Sequence, residues 1–249
     1  MASRKRYVLF LAVYFFALQS LMGEIKNGYV SEIEGMHESL KALNTLLHGD
    51  ATLSVFQRAT IKAKINKLVE YISYFELTET LLHQFKDIAP EMYDEIDALN
   101  DNTGQPVIVF VRFVSELEMQ RGAAGTTNLN HIENDRNIYQ SEYGIRTVSV
   151  KIASVTKALT LLAHEFGHVS YQVRHLATYV EYYSAYYQNE TFNSKIIGHK
   201  SNDPSGNKAI EYENLFRQQY SGFLKNTSNK MENPLAFLHG IQKTYARMN

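Results

Sequence analysis

Three residues in one short stretch have the types and spacing for hydrolytic chemistry: His164, Glu165 and His168, within the pentapeptide HEFGH. On a helix, the two histidines lie one turn apart on the same face. Two imidazoles so placed can share one metal ion, and tetrahedral zinc is the usual occupant. Glu165 adjoins the first histidine and can reach a metal-bound water without being a ligand. That is the position of the general base in a zinc hydrolase. The HExxH pattern fixes only three positions and arises by chance, so its surroundings must carry the reading.

The surroundings agree. Residues 158–173, ALTLLAHEFGHVSYQV, place Ala158, Leu162, Phe166, Val169 and Val173 at spacings of three and four, a continuous apolar stripe. Each histidine is two residues from Phe166, roughly 160–200° around the helix at about 100° per residue. The stripe can face a core while the histidines face a cleft. Ser154 or Thr156 is placed to cap the helix after the strand-like RTVSVKI. Gly167 costs about 1 kcal/mol of helix propensity relative to alanine, and its lack of a side chain leaves room for another backbone close to the site.

A catalytic zinc usually takes three protein groups and keeps a fourth position for water. Glu213 is the leading candidate for the third. It falls inside the apolar stripe of a downstream helix marked by Ala209, Tyr212, Phe216 and Tyr220, and a carboxylate there needs a partner. The competing reading pairs Glu213 with Arg217 at i+4. Glu211 lies off that stripe. Glu181, Glu190, His199 and Asp203 are the other candidates, and His199 could instead steady a transition-state oxyanion. His175 is one residue late for the HExxHxxGxxH pattern and reads as a surface residue. His37, His48 and His83 are isolated and read as structural or surface residues.

HEFGH followed by a glutamate on a later helix resembles the gluzincin branch of the zincin metallopeptidases. DPSGNKAIEYENLFRQQY (203–220) is similar to the downstream block of the NleD-like bacterial effector and toxin metallopeptidases. The resemblance covers about 146–220. It implies an α+β fold, mostly helical, with a small twisted sheet and the HExxH helix beneath it. It implies peptide-bond cleavage, with His164 and His168 as zinc ligands and Glu165 as base. An effector of that kind would lack a cleavable leader, and this chain departs from the pattern there.

The chain has 249 residues, 45% of them hydrophobic, enough for one good core. Its 25 basic and 26 acidic residues leave no basic excess for nucleic acid. It has no cysteine, which excludes disulfides, thiol catalysis and cysteine–zinc sites. MASRKR and the apolar run Tyr7–Leu18 read as a secretory leader occupying 1–23, cut between Ser20 and Gly23. The alternative is a membrane anchor over 7–22, although the run is short for a span of about 20 residues. Residues 24–100 read as a helical region, with a turn at HGDA (48–51), a separate helix at 75–86 and Pro90 starting a short one. A catalytic domain follows over 101–249. There PVIVFVRFV is a buried strand, 120–145 a loop with a short strand, 177–187 a tyrosine-rich helix and 188–208 a long loop with turns at Asp203-Pro204 and Ser205-Gly206. Asn233-Pro234 introduces a last short helix, and NET (189–191) and NTS (226–228) fit glycosylation sequons.

The expectation is thus a secreted or periplasmic metalloendopeptidase with one Zn2+. It would act on a protein or peptide laid along the sheet edge, with no nucleic acid and no stable membrane association once the leader is gone. Two other functions share the motif: a toxin or effector-type metallohydrolase acting on one partner protein, and a catalytically silent binding protein. The intact Glu165 speaks against the latter.

Overall fold

The computed structural model describes residues 23–101, 104–119, 123–129, 147–154, 157–176, 178 and 203–226. The expected leader, the tyrosine-rich segment, His199, Glu181, Glu190, the last expected helix, the first sequon and most of the second lie outside them. The described residues are mostly helical around one small mixed sheet, an α+β arrangement. In chain order they are β1 (Glu24–Asn27), α1 (Ile33–Gly49), α2 (Val55–Ile88), α3 (Pro90–Asp97), β2 (Ile108–Phe113), β3 (Gly125–Leu129), β4 (Thr147–Ile152), α4 (Ala158–Arg174) and α5 (Pro204–Asn226). No described helix is long and apolar enough to cross a membrane.

The sheet runs β1-β2-β4-β3, with β1, β2 and β4 parallel and β3 antiparallel on β4. Alternation decides which face is buried. Val109, Val111 and Phe113 of β2 pair in register with Val148, Val150 and Ile152 of β4, and all six are buried. They face the helices, in one core that also takes Leu77, Phe85, Leu162, Phe166, Tyr212 and Phe216. Phe85 on α2 meets Phe166 of α4 edge-on at 5.2 Å and stacks on Phe216 of α5 at 5.0 Å. Three helices are keyed together there, directly behind the histidines. That core draws on both sides of residue 100.

Some expectations change. Glu24–Asn27 is a strand, not helix: Ile25 and Asn27 are buried as it adds in parallel to β2. The segment at 75–86 continues the helix that starts at Val55, because no breaker interrupts it. Lys157, not Ser154 or Thr156, holds the N-cap position of α4, without a side-chain cap. The turn at Asp203-Pro204-Ser205-Gly206 is the start of α5. Asp203 Oδ1 accepts from the Ser205 backbone N–H at 3.0 Å and its carbonyl from that of Asn207 at 2.9 Å, with proline at the first helical position, where its missing N–H does no harm.

Candidate active site

The apolar stripe of α4 is fully buried, which turns His164 and His168 toward α5. Their rings lie 5.1 Å apart between centroids and nearly perpendicular, at 76°. Helices α4 and α5 can approach this closely because residue 167 is glycine. A Cβ there would lie 2.5 Å from Ala209 Cα and 2.7 Å from the Lys208 carbonyl oxygen. The backbone admitted by Gly167 is that of α5, whose Ala209 is itself fully buried.

This close packing puts α5 side chains on both imidazoles. His164 Nδ1 is 3.1 Å from Glu213 Oε2, and His168 Nδ1 is 2.8 Å from Ser205 Oγ. Each contact has support behind it. Arg217 donates to Glu213 Oε1 through Nη2 at 2.6 Å and Nε at 3.2 Å. Gln172 Nε2 donates to Ser205 Oγ at 3.1 Å. Glu213 is therefore bound by Arg217 and by the first histidine at once. Burial works against its charge, but the hydrogen bonds from Arg217 and His164 hold its pKa below the ordinary value.

Glu165 is buried on the side of α4 facing the sheet. Thr127 of β3 donates its hydroxyl to Glu165 Oε2 at 2.6 Å, and Thr127 Oγ1 also lies 3.3 Å from the Glu165 backbone carbonyl oxygen. Two residues earlier on that face of β3, Gly125 makes room: a Cβ there would lie 2.5 Å from Glu165 Oε1. Burial pushes the Glu165 carboxyl up to about 7, and the Thr127 hydrogen bond only partly opposes it. A carboxyl titrating near neutrality can both take and return a proton.

The remaining candidates fall elsewhere. Glu211 is exposed and paired with Lys208 at 2.8 Å. His175 is exposed at the end of α4, its ring against Tyr171. His37, His48 and His83 are exposed. Asp203 starts α5. Among the described residues, no three His, Asp or Glu side chains form a group that could hold a metal. What does fit a metal is the pair of imidazoles. Each is gripped at Nδ1 by an oxygen, the arrangement that orients histidines ligating through Nε2. Sequence reasoning missed Thr127, Gly125, Ser205 and Gln172. Only Thr127 left a trace, in the alternation of Gly125, Thr127 and Leu129.

Compared with known proteins, the chain matches no family model, no curated sequence and no solved structure.

Proposed function

We propose that the chain is a zinc-dependent metalloendopeptidase of the zincin type, exported from the cell, with Glu165 as its general base. One observation carries the reading: a buried carboxylate, fixed by Thr127 of β3, beside two imidazoles each fixed at Nδ1 by α5. His164 and His168 would hold the ion. When bound, zinc polarises a scissile carbonyl and makes water acidic near neutral pH. Glu165 accepts the water proton and returns it to the leaving amine, for which a pKa near 7 is suited.

Glu213 was expected as the third ligand. Its contact with His164 is through Nδ1, so it supports an orienting role, with Arg217 holding its other oxygen. Ser205 does the same for His168. The substrate lies extended beside β3, which is at the edge of the sheet among the described strands. Gly125 lets that strand lie directly against the Glu165 carboxylate.

The test is zinc content together with activity. Purified protein should hold about one zinc and cleave an unfolded, casein-like substrate. His168→Ala should lose most of the metal. Glu165→Gln should keep it and lose roughly two to four orders of magnitude in rate. Full zinc in the first variant, or full activity in the second, would sink the reading.

A further inference from the structure

The hairpin of α1 and α2 stands apart from the site. Helix α1 has one buried residue, Leu47, and packs on the first half of α2. Together they form a small core of Leu47, Ile61 and Ile65, edged by Leu40, Leu43, Leu53 and Val69. Helix α2 joins the main core only from Tyr74 onward, about 28 Å along its axis from Val55. The hairpin is therefore a prong, and its tip is braced. Ser54 and Gln57 form a reciprocal capping box, and the Arg58 guanidinium donates to the carbonyls of Leu47, Asp50 and Leu53.

This braced tip presents apolar side chains to water. Val55 is 86% exposed and Phe56 81%. At about 100° per residue, Phe56, Ala59 and Ala63 share the outward face of α2, and all are exposed. Lys62 and Lys64 flank that face and Lys67 continues it, all three exposed as well. The whole hairpin, residues 33–73, balances five Lys or Arg against four Asp or Glu, but its tip-side stretch 41–67 holds all five and only one acidic residue, Asp50, a local net +4 in a chain of net −1. Positive charge and apolar exposure are concentrated on the same tip-side half of the prong.

We propose that the outward face of the first turns of α2 docks on an anionic membrane surface, with Val55 and Phe56 entering the headgroup layer and Lys62, Lys64 and Lys67 on the lipid phosphates. The shape selects lipid over a protein partner. The tip is convex and offers two large apolar side chains, well short of the roughly 800 Å² per partner of a specific protein interface. Apolar insertion beside lysines is how interfacial helices bind. The sequence alone led to an expectation of no stable membrane association once the leader is gone; the prong offers a peripheral one.

The chain has no tryptophan, so Phe56→Trp gives the full chain a single reporter at the tip, whatever the leader does. Its emission should shift to the blue on phosphatidylcholine vesicles containing 30% phosphatidylglycerol and be quenched by brominated lipid, but not on phosphatidylcholine alone. Adding Lys62→Gln, Lys64→Gln and Lys67→Gln should weaken partitioning roughly 100-fold, at about 1 kcal/mol per lysine and tenfold per 1.4 kcal/mol. Circular dichroism checks that the variants are folded. Emission unchanged on anionic vesicles overturns the proposal. So does a shift of equal size on neutral vesicles, or one that survives loss of the lysines.

Discussion

Replacing Gly167 with alanine sets two physical effects against each other. Helix propensity alone favours Gly167→Ala by about 1 kcal/mol, because alanine restricts the unfolded chain and suits a helix interior. The packing opposes it. The new methyl would lie 2.5 Å from Ala209 Cα, 2.7 Å from the Lys208 carbonyl oxygen and 2.9 Å from Ala209 N, against 3.4–4 Å for ordinary contact. These are backbone atoms of α5, so no side chain can swing aside; the helix has to move by about 1 Å. Overpacking of this kind costs typically 1–3 kcal/mol, so the variant should be less stable by up to about 2 kcal/mol despite its better propensity. The same displacement draws Glu213 off His164 and Ser205 off His168, and loss of such orienting contacts weakens metal binding by roughly 10- to 100-fold. Urea unfolding gives the first quantity and competition with a chelator the second. A variant more stable than the wild type, with unchanged zinc affinity, would refute the close α4–α5 approach.

The remaining predictions concern the carboxylates and Thr127. Glu165 has a folded-state pKa of about 7 against an ordinary 4.5, so the fold keeps a proton that the unfolded chain loses. The metal-free protein should therefore lose stability as pH rises from about 4.5 to about 7, by at most about 3 kcal/mol, and recover none of it above. Glu165→Gln should abolish that slope, leaving the inactive variant the more stable at pH 8 in thermal unfolding. Glu213→Gln should lower zinc affinity by roughly 10- to 100-fold if it orients His164; zinc lost altogether, as for His168→Ala, would make it a ligand. Thr127→Val should reduce kcat with little change in zinc content, since it frees the base without touching a histidine. An unaltered kcat would remove Thr127 from the site.

The active helix was legible because its signals are local. Five apolar positions in phase placed α4 within a residue or so, a nearly continuous apolar run placed β2, and alternation placed β4. What escaped notice depends on distant partners. EIKN has no periodic signature at four residues and becomes a strand only by pairing with β2, some 84 positions away. Asp-Pro and Ser-Gly are turn signals, but the same Asp and Pro also begin a helix, and the carboxylate bond to Ser205 N–H decides between the two. Thr127 lies in a polar stretch 38 residues from the glutamate it holds. The Glu213–Arg217 pair was weighed only as the competing reading to a zinc ligand; that Glu213 bonds Arg217 and also reaches His164 depends on Gly167, whose role shows only once α5 is in place.

The four-residue β1 has a consequence for the life of the chain before it is folded. Its partner β2, IVFVRF, is apolar at five of six positions and uncharged except for Arg112. Such a segment with an open edge invites pairing with other copies. β1 covers one edge from upstream, while β4 covers the other only after a further stretch of synthesis. Parallel pairing across such separations is slow, so β2 stays open to other copies until both neighbours are in place. Truncation past Asn27 would leave that edge open permanently, and the outcome would be aggregation of an otherwise correct sequence. Were the expected leader removed, the peptide bond chosen for the cut would thereby be tied to the solubility of the product.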